Sequence, residues 1–230
     1  MEKEEKQFKI LLEILERFHS AGILQEMMLI GSWCLYFYRL ESERAGTFPA
    51  IRTLDVDFLI PHHSHLQKEI DVPLLLKGMG FVPTFNRSSG LVVYDHEELR
   101  VEFLVPELGR GYHKSQDVKK LHVKAVPLRY LNLLTAYPKS VIYRNLHIRV
   151  PEPAVFALHK LIISARRLNK EKAKKDLEMA IGLLEFLYTK PTEIKRIKSI
   201  LRSIPAKWVK AILSVSGKHF PKLNETAGER

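Results

Sequence analysis

The stretch Thr53-Leu-Asp-Val-Asp-Phe-Leu-Ile60 predicts a strand that is apolar on one face and acidic on the other. Side chains at positions i and i+2 of a strand point to the same face, so Asp55 and Asp57 project side by side. Their negative charges repel each other, and a divalent cation with hard oxygen ligands would offset that repulsion. The alternative is a solvent-facing strand that happens to carry two aspartates.

A Gly31-Ser32 pair lies upstream, between a predicted buried strand over residues 27–30 and an apolar helical segment over residues 33–40. Glycine lets the backbone approach a ligand closely, and free amides at a helix start favour a phosphate. The Ser32 hydroxyl adds a donor. The alternative is that Ser32 is a routine helix N-cap.

A third acid follows in Arg100-Val-Glu-Phe-Leu-Val105, an apolar stretch that predicts another strand. Glu102 stands between two apolar residues, which is costly unless its carboxylate faces solvent or a cation. If this strand neighbours the one that carries Asp55 and Asp57, three carboxylates converge. Such a cluster could hold two Mg²⁺ ions for in-line phosphoryl transfer.

The composition indicates a globular protein with a polyanionic partner. The chain has 230 residues, 37 Lys and Arg, 26 Asp and Glu, and a formal net charge of +11 at pH 7. A single cysteine, Cys34, excludes an internal disulfide framework and a cysteine-based zinc cluster. The longest uncharged apolar run covers residues 27–38, too short for a bilayer, and the start lacks an apolar signal core, so we expect a cytoplasmic protein without a membrane partner.

The positive charge is unevenly distributed along the chain. Between Lys160 and Lys210 there are 14 Lys and Arg against 5 Asp and Glu, which accounts for most of the net charge. The functional interpretation is a basic surface that holds phosphates or RNA. The alternative is a set of solvated helical faces.

The charge asymmetry predicts a change of domain near Val150, which divides the chain into two domains and a tail. Residues 1–150 form the first, with an amphipathic helix over 3–20, a helix over about 66–77, and strands over 81–85, 91–95, 99–105 and 141–150. Pro153 suits the first turn of a helical region that makes up a basic domain over 151–220, which Pro191 and Pro205 subdivide. Residues 221–230 are polar, and we expect them to be a frayed tail.

The order Gly31-Ser32, Asp55-x-Asp57 and then the single acid Glu102 resembles the DNA polymerase β-like nucleotidyltransferase superfamily. The gap from Ser32 to Asp55 is longer than in minimal members of that superfamily. The chain is similar in this respect to an uncharacterised bacterial branch of nucleotidyltransferase-fold proteins, in which a longer loop ends in a Thr-x-Asp-Val-Asp string.

That branch also carries a helical segment resembling Pro153-Ala-Val-Phe-Ala-Leu-His-Lys-Leu-Ile-Ile-Ser-Ala-Arg-Arg167, followed by Lys174-Lys-Asp-Leu177. Abortive-infection-type toxin nucleotidyltransferases show a looser version, with a Lys, then an Arg, then an Asp on the next helix. The resemblance covers about residues 25–190. It implies an α/β (α+β) nucleotidyltransferase domain with a mixed sheet, followed by an all-α helical domain.

Within this resemblance Lys160 is the candidate cation facing the nucleotide triphosphate. Arg166, Arg167 and Lys175 are further candidates, and Asp176 would orient one of these cations. Without the resemblance, Lys160 would be interpreted as a solvated helix residue. Two sets of histidines are interpreted as structural and not catalytic or zinc-binding. We expect His159 to be a structural histidine and the cluster His62-His63-x-His65 to lie in a polar loop.

The resemblance implies a nucleotidyltransferase that uses Mg²⁺ or Mn²⁺ at Asp55, Asp57 and Glu102 and holds the NTP phosphates with Gly31 and Ser32. It would transfer NMP from the NTP to an acceptor hydroxyl of RNA or tRNA, or of a protein or small molecule. Two non-catalytic alternatives are a nucleotide- or RNA-binding module of a toxin–antitoxin pair, with a protein partner, and a basic RNA-binding protein whose acids are incidental.

Overall fold

The computed structural model describes residues 2–41, 53–61, 66–85, 90–107 and 115–228. The predicted His62-His63-x-His65 loop lies outside these residues. The chain divides into two compact units, Met1–Phe37 with Ile51–Pro151 and Tyr38–Ala50 with Glu152–Arg230. We call them the sheet unit and the helical unit.

Seven strands in the described part of the sheet unit form one mixed sheet with the order β1-β2-β5-β4-β3, and β7 pairs with both β5 and β6. The pairs β2–β5 and β5–β7 are parallel, whereas β1–β2, β3–β4, β4–β5 and β6–β7 are antiparallel. The predicted mixed sheet is therefore confirmed. The strands are β1 (Met28–Ile30), β2 (Asp55–Leu59), β3 (Val82–Phe85), β4 (Val92–Asp95), β5 (Arg100–Pro106), β6 (Gln116–Val118) and β7 (Val123–Leu128).

The first helix, α1 (Glu2–Ser20), confirms the predicted amphipathic helix. Its apolar stripe is buried in the sheet unit, and the Phe18 ring meets the Phe58 ring of β2 at 5.1 Å between centroids. Phe58 alternates with the acidic residues of β2, so this contact marks the apolar face of the strand. Two short α-helices of the same unit are α3 (Val72–Lys77) and α4 (Leu131–Thr135). A third, α2 (Cys34–Leu40), begins in the sheet unit, and its residues from Tyr38 onward are assigned to the helical unit.

Two predicted elements differ from the structure. The helix expected over 66–77 begins only at Val72, because the Asp71 side chain accepts a hydrogen bond from the Leu74 amide at 2.8 Å and Pro73 stands in the first turn. The single strand region expected over 141–150 is a hairpin of β8 (Pro138–Tyr143) and β9 (Leu146–Pro151). Its two-residue loop has positive φ at both positions, as a type I′ turn requires.

The helical unit is built around α5 (Pro153–Ser164), in which ten of the twelve residues are buried. A helix that is apolar nearly all round belongs in a core. The described segment expected to be a tail instead forms α9, where Leu223 is buried and the Tyr188 hydroxyl lies 2.8 Å from Thr226 Oγ1. The helices around α5 are α6 (Lys170–Leu187), α7 (Pro191–Ser203), α8 (Ala206–His219) and α9 (Lys222–Gly228).

None of the helices in the described ranges combines the length and the apolar character needed to cross a bilayer.

Candidate active site

Strand register places the three predicted acids on one face of the sheet. β2 and β5 run parallel, with Asp57 directly opposite Glu102 and Asp55 directly opposite Arg100. Paired residues on neighbouring strands point to the same face, and the strands lie about 4.8 Å apart. The two strands that carry the three acids are therefore neighbours, which is the condition for their carboxylates to converge. We call Asp55, Asp57 and Glu102 the acidic face.

The Gly31-Ser32 turn lies against this face because β1 pairs with β2, with Ile30 opposite Asp57. Gly31 has φ +75°, and a Cβ at this position would overlap Asp57 Oδ2. Glycine is therefore required both by the backbone conformation and by the neighbouring carboxylate. Ser32 lies inside a 3₁₀ turn over Gly31–Trp33, directly before α2.

The acidic face fits a divalent cation by chemistry and by register. Among the described residues, no three His, Cys, Asp or Glu side chains already stand together as a ligand group. Asp57 and Glu102 are nevertheless neighbours across the strands, and Asp55 is about 7 Å further along the same face. Carboxylate oxygens are the ligands Mg²⁺ prefers, so the residue types and their shared face fit a divalent cation.

Arg100 is the cation next to the acidic face. Its Nε lies 2.6 Å from Asp95 Oδ1, across the β4–β5 hairpin. The hydrogen bond to Asp95 raises the pKa of Arg100, and the charges of Asp95, Asp55 and Glu102 add to this against a smaller effect of burial. Burial alone would raise the pKa of Asp95, but hydrogen bonds from Thr84 and Arg100 hold it below its usual value.

The helical unit holds a second charged group, the Asp176 cluster of Lys160, Arg167 and Asp176. Asp176 Oδ1 accepts from Lys160 Nζ at 2.6 Å and its Oδ2 accepts from Arg167 Nε at 2.5 Å. Lys160 is only 7% exposed, so its interpretation as a solvated helix residue is wrong. Asp176 was predicted to orient one of Arg166, Arg167 and Lys175. It is bonded to Arg167 and also to Lys160, whereas Arg166 and Lys175 are exposed on the surface.

Residues 9–198 of the 230 match the sequence model of a family described as Nucleotidyltransferase. The chain belongs to this nucleotidyltransferase family. The matched range contains the acidic face, the Gly31-Ser32 turn and the Asp176 cluster. The sequence-based prediction of a nucleotidyltransferase enzyme is confirmed.

Three solved structures are similar to this nucleotidyltransferase. An antigenic nucleotidyltransferase-like protein from Paracoccidioides brasiliensis is 14% identical, with TM-score 0.47, over 94% of this chain and 92% of that chain. The antibiotic-resistance factor ANT(2'')-Ia is 9% identical, with TM-score 0.41, over 98% and 99%. A tRNA nucleotidyltransferase, solved with a primer tRNA and an incoming ATP analog, is 16% identical, with TM-score 0.25, over 94% and 62%. No curated protein matches the chain in sequence.

His159 is the buried histidine of this nucleotidyltransferase. Burial, together with the positive charges of Lys160 and Arg167, lowers its pKa to about 3 against the opposing charge of Asp176. Neither ring nitrogen has a hydrogen-bond partner among the described residues. A histidine that stays neutral and enclosed at pH 7 fits its predicted structural role better than that of a base.

Sequence reasoning missed Arg100 and Asp95 as part of the site. One signal was available, because Arg100 precedes Glu102 by two positions and therefore shares its face of the strand. The partnership with Asp95 depends on the register of the β4–β5 hairpin, which single-sequence patterns specify only loosely.

Proposed function

We propose that this nucleotidyltransferase transfers NMP from an NTP to an acceptor hydroxyl of RNA or tRNA, with Mg²⁺ or Mn²⁺ bound at the acidic face. The single observation that carries the proposal is the β2–β5 register, which makes Asp57 and Glu102 direct neighbours with Asp55 on the same face. Family membership supports the reaction class.

The three carboxylates have separate tasks in this mechanism. Asp55 and Asp57 would hold the divalent cation, which would supply Lewis-acid stabilisation of the triphosphate. Glu102 completes the ligand set and accepts the proton of the acceptor hydroxyl. The new bond joins that oxygen to the α-phosphorus, the bond from the α-phosphorus to the bridging oxygen breaks, and pyrophosphate leaves. Apart from the proton that Glu102 accepts, these residues act by positioning and electrostatics.

Gly31 and Ser32 hold the β- and γ-phosphates in this proposal. The missing side chain at Gly31 leaves its backbone open for close approach beside Asp57. Ser32 is half-buried in the same turn and offers a hydroxyl donor.

Lys160, Arg166 and Lys175 are proposed as the cations that offset triphosphate charge. The ion pair with Asp176 fixes the position of the Lys160 ammonium. Arg166 and Lys175 are exposed and accessible to a polyanion. We expect Lys160→Met to lower kcat by weakening stabilisation of the leaving pyrophosphate, and Lys175→Gln to raise the KM for NTP, in steady-state assays.

The choice of RNA as acceptor rests on the basic segment, which we define as residues 166–175. It contains six Lys and Arg residues and one acid, Glu171, and all six cations are exposed. Exposed cations at this density neutralise backbone phosphates and release counterions. RNA binding should therefore weaken steeply as salt is raised.

The test is incubation of the full chain with each of the four α-labelled NTPs in turn, with Mg²⁺, total tRNA and cell lysate. We expect label in RNA, removed by nuclease and not by protease, and lost in EDTA. Asp57→Asn should lower the rate by roughly 100-fold or more. Asp117→Asn is the matched control, because Asp117 lies on β6 outside the acidic face and is 66% exposed.

Each other outcome contradicts a defined part of the proposal. Label in protein, or in a small molecule, would move the acceptor to one of the other two hydroxyl classes. RNA binding that ignores both Mg²⁺ and Asp57→Asn, without labelling, would make the chain a basic RNA-binding protein. Labelling that survives Asp57→Asn would remove the acidic face from the mechanism.

The proposal extends to the abortive-infection-type toxin branch through the helical motif alone. Lys160, Arg167 and Asp176 form one ion-paired cluster, which supports a shared structural role for that motif. Expression of the wild type and of Asp57→Asn in a bacterial host tests this extension. Growth arrest by the wild type alone supports a catalytic toxin. Equal growth of hosts that express the wild type and Asp57→Asn would contradict this extension.

A further inference from the structure

A row of alternating charges crosses the sheet beside the acidic face. Asp55 on β2 stands opposite Arg100 on β5, and Arg100 stands opposite Asp95 on β4. Paired residues share a face, so one cation lies between two carboxylates. Asp57 and Glu102 form the next row of the same face.

Arg100 is held by Asp95, which lies on the neighbouring strand on the side away from Asp55. Its Nε lies 2.6 Å from Asp95 Oδ1, and Asp95 also receives a hydrogen bond from Thr84 on β3. The Arg100 amide donates to the Leu54 carbonyl at 2.8 Å, which ties its backbone to the start of β2. The guanidinium is thus held close to the acidic face without being centred on it.

The charges of Asp55 and Glu102 both act on the guanidinium of Arg100. The same field acts in reverse, because a resident positive charge lowers the affinity of those carboxylates for a second cation. Arg100 is 48% exposed, so water and salt weaken this effect without removing it.

We propose that Arg100 is a positioning residue that, anchored by Asp95, supplies the resident counter-charge of the acidic face and sets its affinity for a divalent cation. This inference rests on the proposed function, which assigns the acidic face to a divalent cation. Asp95 keeps the guanidinium aside, so that the cation can reach Asp55 and Asp57.

The test measures Mn²⁺ binding to the full chain without nucleotide, by the electron paramagnetic resonance signal of free Mn²⁺. Arg100→Gln should tighten the Mn²⁺ dissociation constant by roughly three- to tenfold, because a repelling charge is removed. Asp95→Asn should weaken Mn²⁺ binding by roughly two- to fivefold, because the released guanidinium moves toward Asp55. Damage to the fold would weaken binding in both variants.

Arg129→Gln is the matched control. Arg129 Nε lies 2.8 Å from Glu107 Oε2, and Arg129 is 60% exposed, so the variant removes the same charge from an arginine–carboxylate pair outside the acidic face. Its partner Glu107 is 8% exposed, against 33% for Asp95. It should leave the dissociation constant within about twofold. An equal tightening in Arg100→Gln and Arg129→Gln would overturn the proposal, because only net charge would then matter.

A double variant separates anchoring from simple loss of negative charge. If Asp95 acts by holding Arg100, the effect of Asp95→Asn should fall to less than half in the Arg100→Gln background. Full additivity of the two substitutions would overturn the anchoring role of Asp95.

A metal-free readout distinguishes failure of this inference from failure of the proposed function. In EDTA, added salt should raise the melting temperature of Arg100→Gln more than that of the wild type or Arg129→Gln, because it screens the uncovered repulsion. Equal salt responses would overturn the inference. Absence of Mn²⁺ binding in the wild type would instead overturn the metal site of the proposed function, and the EDTA series would still decide on Arg100.

Discussion

The acidic face and the Asp176 cluster arrange their charged side chains in opposite ways. In the acidic face Asp57 and Glu102 are direct neighbours of like charge, each of them partly exposed, and the nearby Arg100 is hydrogen-bonded to Asp95. In the Asp176 cluster one buried carboxylate accepts from two cations within 2.6 Å. The first arrangement brings like charges together on neighbouring strands, and the second surrounds one carboxylate with a surplus of positive charge.

This difference indicates which group binds a ligand cation and which one stabilises a fold. Crowded carboxylates are unfavourable by themselves and are useful only when a cation joins them. A buried carboxylate that is paired on both oxygens already has its partners, and removing one strands the other. The following predictions test that division, from the largest expected effect to the smallest.

Asp176→Asn should cost about 3–5 kcal/mol of the free energy of unfolding, because it leaves the 7% exposed Lys160 ammonium without its counter-charge. Urea denaturation of the full chain measures this. The matched control is Glu178→Gln, since Glu178 forms an exposed pair with Lys174 at 3.8 Å and should contribute less than about 0.5 kcal/mol. The double variant Lys160→Met, Asp176→Leu should recover most of the loss.

A loss below about 1 kcal/mol for Asp176→Asn would contradict this assignment. It would show that Lys160 reaches water easily and that its ion pair with Asp176 contributes little to the stability of the fold.

His159 gives the Asp176 cluster a pH dependence. Its pKa in the folded protein is about 3, below the value near 6.5 of an unfolded histidine. Above pH 6.5 both states are neutral and His159 contributes no slope. As the pH falls from 6.5 toward 3, only the unfolded chain takes up the proton, so the free energy of unfolding decreases, by about 2 kcal/mol at pH 5.

Urea denaturation at pH 7 and pH 5 checks this, with His159→Leu as the comparison variant. Carboxylates contribute the same slope to both proteins, so the difference between their slopes isolates His159. The variant should lose about 2 kcal/mol less than the wild type between the two pH values. Equal slopes would mean that the histidine is protonated or solvated in the folded state.

The elements that sequence patterns predicted well are those with a strong local signal. The alternation in β2 and β5 and the stripe of α1 each specify one buried face, and the structure contains all three elements. The acidic face followed from that alternation plus one assumption, that β2 and β5 are neighbours. The register of β2 and β5 confirms that they are neighbours. Strand register depends on tertiary contacts, so the sequence of either strand alone does not determine it.

The features that sequence patterns missed depend on partners distant in the chain. α9 is a short helix of polar sequence, stabilised by contacts such as the one between Tyr188 and Thr226. The burial of Lys160 depends on Asp176, sixteen residues away on the next helix. Arg100 and Asp95 are joined across a hairpin, so neither identifies its partner by itself.

Gly31→Ala should disturb the acidic face through the backbone. An alanine at φ +75° is strained, and its Cβ would overlap Asp57 Oδ2. We expect a stability loss of about 1–2 kcal/mol and a decrease of roughly tenfold or more in kcat/KM for NTP. The control is Gly228→Ala, because a Cβ there meets nothing within 4 Å. Unchanged activity in Gly31→Ala would show that the Asp57 carboxylate can move without loss.

The smallest expected effects distinguish two kinds of positive charge within the helical unit, one paired in the fold and one exposed to RNA. Arg196 makes two hydrogen bonds of 2.7 Å to Glu152, the residue before α5, so its charge is already used in the fold. Lys175 is exposed within the basic segment. Arg196→Gln should cost about 1 kcal/mol of stability and leave RNA affinity unchanged, whereas Lys175→Gln should weaken RNA binding by a few-fold and leave stability unchanged.

Filter binding of labelled tRNA at several salt concentrations, together with urea denaturation, measures both effects on two variants that lose the same single charge. The salt slope of binding should fall by about one for Lys175→Gln and stay constant for Arg196→Gln. If both variants lose RNA affinity equally, net charge alone governs binding, and the basic segment has no special role. If neither does, the positive charge of the helical unit serves its fold, and the acceptor must be sought among proteins and small molecules.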